Sequence, residues 1–287
     1  MEIVRPVDAS TFLQLAGPML SANEARHNLI LGLAGTLVAQ PEFYPEFRLW
    51  IAADAEGTRA AALRTPPHNL VVADTSDRAA LEALLAAVRE DEGGLPGLVA
   101  NAPTVDDATE IWTSMTGATI ALRFAQGVFV LTAVSDLPRP AGSPRVLHDD
   151  DRALVVDWVV AFAREALRHQ PLDQARLAGS VDMRLGHDEA GFWLWEVDGT
   201  PVSLAGFSGP TTTGIRIGPV YTPPEHRGRG YATALVADLS RELLGRGYRA
   251  CFLFTDLSNP TSNAIYERIG YRRVADAYEI QFGQPPA

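Results

Sequence analysis

Lysine is absent from the 287-residue chain, so every one of its 24 Lys+Arg positions is an arginine. A coding bias is the simplest account of so uniform a choice, but the chemical consequence holds regardless. No side-chain ammonium is available for modification, and the remaining cations stay charged and suit phosphate geometry. Cysteine is nearly absent as well: Cys251 stands alone, which excludes an intrachain disulfide and points to a reducing compartment. Residues 1–6 lack the basic start and apolar core of a secretory signal. No uncharged apolar run approaches the roughly 18 residues that a membrane span requires. These absences lead us to expect a soluble, cytoplasmic protein without a membrane partner. Positive charge is in deficit, with a formal net charge of −11, which opposes a sequence-independent nucleic-acid role. Neutral or cationic small molecules are the expected partners, and no metal site is expected.

What the chain does have is material for two domains, since its length exceeds that of a typical single domain and 47% of its residues are apolar. Three prolines, a glycine and a serine in residues 138–144 read as a linker. After it, the patterning predicts a short strand at 145–147, helices at 149–167 and 172–185, and a hairpin of 192–196 and 201–207 over Val197, Asp198, Gly199 and Thr200. A strand at 214–221, a helix at 233–244 and an apolar strand at 250–254 follow. The first half repeats this order more faintly. Helices are expected at 11–20 and 24–39, a hairpin of 48–53 and 59–64, a strand at 70–73, a helix at 77–89 and a closing pair of strands at 118–124 and 128–134. We read an internal duplication of one α/β fold, with domains 1–138 and 139–287.

The most informative stretch is Arg227, Gly228, Arg229, Gly230, Tyr231 and Ala232, placed between a predicted strand and a predicted helix. Two glycines let the backbone turn tightly and approach a ligand. The first helical turn adds unpaired N–H groups and partial positive charge, so the segment is an anion cradle. Farther on come Asn259, Asn263, Ile265, Tyr266, Gly270 and Tyr271. Together and in this order, the two segments resemble the GNAT superfamily of N-acetyltransferases. Arg227, Gly230 and Ala232 match its Arg/Gln-x-x-Gly-x-Gly/Ala loop, and Asn259, Tyr266 and Gly270-Tyr271 match its Asn…Tyr…Gly-Phe/Tyr segment. The resemblance implies two domains of mixed, mostly antiparallel sheet flanked by helices, with splayed central strands in the second. It also implies acetyl-CoA as acyl donor, an amine of a small molecule as acceptor, and direct transfer in a ternary complex. Arg227, Gly228, Arg229, Gly230, Tyr231, Ala232 and Thr233 would hold the pyrophosphate. Val220 and Tyr221 would face the pantetheine arm if the strands splay at Gly218 and Pro219, since proline removes a ladder donor; read from the residues alone, Pro219 could equally just end the strand. Asn259 and Asn263 would complete the cofactor site.

The same resemblance makes Tyr266 the general acid that protonates the departing thiolate. Read from spacing alone, Tyr266 could equally be core packing with Ile265 and Ile269. No general base is legible: residues 214–221 contain no carboxylate, and Glu165 and Glu196 are as readily surface residues. A non-catalytic GNAT-like protein that binds CoA or another ligand for regulation is therefore the alternative. In the first half, Ala73-Asp74-Thr75-Ser76-Asp77-Arg78 stands where the second has its loop. Without glycine and with two carboxylates it would repel a pyrophosphate, and Ser76 or Asp77 is there a helix cap. Cys251 is expected to be buried packing, and His226 to decorate the loop. Residues 64–69, with Pro66, Pro67 and His68, form either a strand-end turn or the wall of an acceptor pocket, and Glu24 to Asn28 either a helix start or a pocket wall.

Overall fold

A computed structural model describes residues 1–166 and 172–283. The first half runs β1 (Glu2–Val4), α1 (Ala9–Ser21), α2 (Asn28–Ala39), β2 (Arg48–Asp54), β3 (Gly57–Arg64), β4 (Leu70–Val72), α3 (Arg78–Glu92), β5 (Gly97–Asn101), α4 (Thr104–Thr116) and β6 (Thr119–Leu131). The second runs β7 (Ser143–Val146), α5 (Arg152–Ala166), α6 (Gln174–Asp182), β8 (Gly191–Val197), β9 (Thr200–Ser208), β10 (Gly214–Tyr221), α7 (Tyr231–Gly245), β11 (Ala250–Asp256), α8 (Pro260–Ile269) and β12 (Arg272–Gly283). Element for element the two halves have the same order. This is the two-domain, mixed α/β architecture expected of a duplicated fold, and in each half one strand pair is parallel, β4 with β5 and β10 with β11.

Packing does not divide the chain where the sequence repeat does. One compact unit comprises Met1–Val128 with the segment from Arg273 onward, and the other comprises Phe129–Arg272. Strands expected at 118–124 and 128–134 form instead one continuous strand, β6, from Thr119 to Leu131, which runs through Gly127. The last strand of the second repeat, β12, thus serves the first repeat's sheet, and the end of β6, from Phe129, serves the second's. In the first unit the strand order is β1-β2-β3-β4-β5-β12-β6, with β12 antiparallel to β5 from Ala277↔Asn101 to Gln281↔Gly97. In the second it is the end of β6, then β11-β10-β9-β8-β7.

Each sheet buries both faces. In the first unit α3 and α4 cover one face with Leu81, Leu84, Leu85, Val88, Ile111 and Trp112, and α1 and α2 cover the other with Phe12, Leu20, Ile30 and Leu31. In the second unit α7 lays Leu235, Val236, Leu239 and Leu243 on one face, while Val155, Val159 and Val181 of α5 and α6 cover the other. Burial of each such side chain contributes about 1.5–3 kcal/mol relative to exposure.

Local chemistry accounts for several boundaries. Asp198 (φ 48°) and Gly199 (φ 76°) form the two-residue turn of the β8–β9 hairpin, with both central residues left-handed as a tight hairpin turn favours. Asp77 caps α3 by accepting the Ala80 N–H at 2.9 Å. Some boundaries differ from the sequence reading. The helix expected from Glu24 begins at Asn28, because the chain turns through 22–27 to bury His27. The helix expected at 149–167 begins with a short 3-10 turn at Asp149–Asp151, and α5 proper starts at Arg152; Leu167 lies outside the described residues. Residues 64–69 form a strand-end turn in which His68 N–H donates to the Thr65 carbonyl at 3.0 Å and Arg64 binds the His68 carbonyl and Glu92. Among the described residues no helix is long and apolar enough to cross a membrane, and no group of three or more His, Cys, Asp or Glu could hold a metal ion.

Candidate active site

β10 is the element on which the site is built. It pairs in parallel with β11 only from Gly214↔Ala250 to Arg216↔Phe252, although both strands continue past that register. On its other side it pairs with β9 at Ile217↔Phe207 and again at Val220↔Ala205, a step of three residues against two. The extra residue is a bulge at Gly218 and Pro219, where Gly218 has φ 149°. A one-residue insertion reverses the side-chain alternation beyond it. Ile215 and Ile217 face α7, and past the bulge Val220 also faces α7 while Tyr221 turns to the α5 side. The carbonyl of Tyr221 accepts the hydroxyl of the fully buried Ser203 at 3.2 Å, and Ser203 also meets the Thr222 hydroxyl at 2.8 Å. This bond secures the far end of the bulge.

The glycine loop follows a 3-10 turn at Pro224–His226. Gly228 (φ 76°) and Gly230 (φ 82°) are both left-handed, and a Cβ at either would point into open space. Gly230 is the N-cap of α7 and provides no side-chain cap, so the first intrahelical bond runs from Ala234 N–H to the Gly230 carbonyl at 3.0 Å. Among the described residues, no protein acceptor pairs with the amides of 228–233. Gly228, Arg229 and Gly230 are exposed, Ala232 and Thr233 half-buried. Tyr231 contributes only its backbone to the exposed loop, because its ring is buried against the α7 core. A helix start with free amides and a partial positive charge fits a phosphate group.

The equivalent helix start in the first half is closed. Besides the Asp77 cap, Asp74 pairs with Arg26 at 2.5 Å, and Asn101 Nδ2 donates to Asp74 at 3.0 Å and to the Arg26 carbonyl at 2.9 Å. Arg26 also donates to the Ala102 carbonyl at 2.9 Å. His27 lies with Nδ1 at 2.8 Å from the Leu20 carbonyl and accepts the Asp74 N–H on Nε2 at 3.1 Å. Residues Glu24 to Asn28 therefore supply the plug, Arg26, across the ends of β4 and β5.

Tyr266 lies half-buried on α8, packed on the α7 core with its ring edge-on to Tyr271 at 5.9 Å. Burial pushes its hydroxyl up to about 12, so it is a protonated acid at neutral pH. Asn259 caps α8 by accepting the Ser262 N–H at 3.1 Å. Asn263 donates weakly to the Leu257 carbonyl at 3.4 Å, while its buried Oδ1 has no partner among the described residues. Cys251 is fully buried in the α7 core, its thiol raised to about 12 by burial. Sequence reasoning passed over one cluster. Arg227 donates through Nη2 to Glu165 Oε2 at 2.7 Å and through Nε to the Thr222 carbonyl at 2.8 Å, and its guanidinium lies 5.8 Å from the Tyr221 ring centre. The Tyr221 hydroxyl is 3.4 Å from Glu165 Oε1 and is raised by burial first and by the Glu165 charge second. Glu165 stands 62 positions before Arg227, and no motif joins them.

Comparison with known proteins agrees with this geometry. Residues 153–271 match the model of the acetyltransferase (GNAT) family. A protein of Yersinia pestis (strain Pestoides F) described as an acetyltransferase is 30% identical over 93 residues, which cover 32% of this chain and 64% of that relative. The chain thus spans about two thirds of the length of the curated relatives it matches. Among solved structures, a tandem GNAT protein from the clavulanic acid biosynthesis pathway superposes with a TM-score of 0.58 at 18% identity, over 100% of this chain and 99% of that one. A GCN5-related N-acetyltransferase from Sphaerobacter thermophilus gives 0.60 at 16% identity, over 99% and 96%. At such identities these two speak for the fold alone. The family match lies on the repeat that carries the open loop, so the second repeat matches the acetyltransferase (GNAT) family, and a tandem GNAT fold extends along the full length of the chain.

Proposed function

We propose that the second repeat is an N-acetyltransferase that binds acetyl-CoA and passes its acetyl group to an amine of a small molecule within a ternary complex. The observation that carries this reading is the run of free amides at 228–233 ahead of an uncapped helix. Acetyl-CoA would supply a thioester carbonyl carbon. The loop amides, with Arg227 and Arg229, would hold its pyrophosphate, and Asn259 and Asn263 would line the same site. Backbone groups of Val220 and Tyr221, released from β11 by the splay, would bind the pantetheine arm and face the oxyanion that develops as the amine nitrogen attacks. The amine nitrogen adds to the carbonyl carbon, the C–S bond breaks as the adduct collapses, and the Tyr266 hydroxyl gives its proton to the departing thiolate; the proton that the nitrogen sheds passes to solvent, from which the Tyr266 phenolate is reprotonated. The first repeat, its helix start capped by Asp77 and its strand ends bridged by Arg26, would serve as a degenerate copy. A cytoplasmic location fits the single buried thiol.

One observation favours a second reading, a non-catalytic CoA-binding regulator: β10 carries no carboxylate to act as base. Calorimetric titration with acetyl-CoA, followed by a thiol-release screen of small amines, tests both. One site per chain with turnover is the expected result. One site without turnover on any amine favours the regulator, two sites refute the degeneracy of the first repeat, and no binding removes both readings.

A further inference from the structure

We propose that Glu165 is a cation seat which Arg227 occupies in the free protein and which a primary ammonium of the acceptor takes once the pyrophosphate has drawn Arg227 away. The inference rests on the reading of residues 227–233 as the pyrophosphate loop. An alkylammonium is recognised by a carboxylate together with aromatic faces. Here the carboxylate of Glu165 lies beside the Tyr221 hydroxyl at 3.4 Å, and Trp158 on α5 lies 6.3 Å from Tyr221, ring centre to ring centre. Arg227 already uses the site in this way, with its Nη2 at 2.7 Å from Glu165 Oε2 and its guanidinium 5.8 Å from the Tyr221 ring. It is the chain's own stand-in for the ligand.

The bulge at Gly218 and Pro219 creates the arrangement, because without the extra residue Tyr221 would face α7 and not α5. The seat therefore adjoins the backbone at Val220 and Tyr221 where the acyl group is expected. Arg227 is also the first residue of the glycine loop, and both it and Glu165 are about half exposed. An exposed ion pair is weak enough for a doubly charged pyrophosphate to break. Donor binding then empties the seat, and the acceptor's cation enters second. This order provides a carboxylate for the amine although β10 has none.

Calorimetric titration of acetyl-CoA into the wild type, Glu165→Gln, Arg227→Ala and the double variant tests the first half of the proposal. Removing the competing charge should tighten acetyl-CoA binding in Glu165→Gln by about two- to fivefold, the worth of one exposed pair. In the Arg227→Ala background the same change should have no effect. Should the wild type itself fail to bind acetyl-CoA, the loop reading falls and this inference with it. Should the wild type bind while Glu165→Gln binds equally or more weakly, the inference alone falls. For the seat, 2-phenylethylamine serves as probe, carrying one ammonium and one ring. It should bind the wild type only in the presence of CoA and not bind Glu165→Gln at all. Equal binding with and without CoA, retention in Glu165→Gln, or no binding to the wild-type CoA complex overturns the seat. Tighter cofactor binding and lost amine binding in one variant are opposite effects that misfolding would not produce.

Discussion

Tyr266 is the residue on which the proposed acid role depends, and its environment sets its titration. Burial holds its hydroxyl at about 12, above the ordinary 10 of tyrosine. A raised pKa favours the protonated fold, so this contribution to stability is complete below pH 10 and is lost as pH rises toward 12. Tyr266→Phe should remove one phenolate titration near pH 12 from the ultraviolet absorbance and flatten the loss of stability between pH 10 and 12. In turnover the same variant should lose about 10- to 100-fold in kcat, below the upper range for proton transfer because a thiol of pKa about 8.5 is already a fair leaving group. Acetyl-CoA affinity should be unchanged, and unchanged kcat would remove the acid role. The residue type and its motif were legible in sequence. Spacing also allowed its packing with Ile265 and Ile269, but not its partners on the far side, Tyr271 and the α7 core, which the chain brings to it only through folding.

The two equivalent helix starts, α3 and α7, differ by a cap. Asp77 gives α3 an acceptor for its own first turn, and α7 has only Gly230. Asp77→Ala should cost about 1 kcal/mol of stability, readable as a lower Tm, without changing acetyl-CoA binding. Gly230→Asp sets a carboxylate against the free amides of α7. It should weaken acetyl-CoA binding by at least about tenfold, since one charge misplaced against a phosphate is worth over 1.4 kcal/mol. Equal affinity in that variant would disconnect the loop from the cofactor. Helix α4 shows where element patterns fade. Thr109, Thr113 and Thr116 each return their hydroxyl to a carbonyl four residues back, an interaction that weakly disfavours a helix. Burial of Val105, Ala108, Ile111 and Trp112 sustains α4 all the same, so its length is a tertiary outcome.

At the scale of the molecule, the exchange of last strands governs how the chain can be divided. The segment 1–138 lacks β12, so β5 from Gly97 to Asn101 would expose its unpaired edge. The segment 139–287 lacks the end of β6 beside β11. Each fragment expressed alone should aggregate, and co-expression should restore a soluble pair with one acetyl-CoA site. A monodisperse, cooperatively melting fragment 1–138 would show that the exchange is not required. The expected linker at 138–144 lies between β6 and β7 and overlaps the start of β7 at Ser143, and it does not mark which residues pack together. Prolines and glycines are read locally, whereas a strand's neighbour is chosen by whichever sheet edge is open.

By itself, then, the sequence determined the order of elements in the second half and a partial echo of it in the first, without β5 and α4, together with the Asp198-Gly199 hairpin, the glycine loop at 227–233 and the carboxylate-bearing segment that replaces it in the first half. All of these rest on short-range chemistry: periodicity, turn residues, glycine freedom and caps. Tertiary structure alone decided the exchange of β6 and β12, the Arg26 plug, and the meeting of Glu165, Tyr221 and Arg227. Those features join positions dozens to hundreds of residues apart, and one of them turns on a single extra residue in β10 that reverses which way Tyr221 points. Side-chain partners at that separation are set by register and packing, which no local pattern encodes.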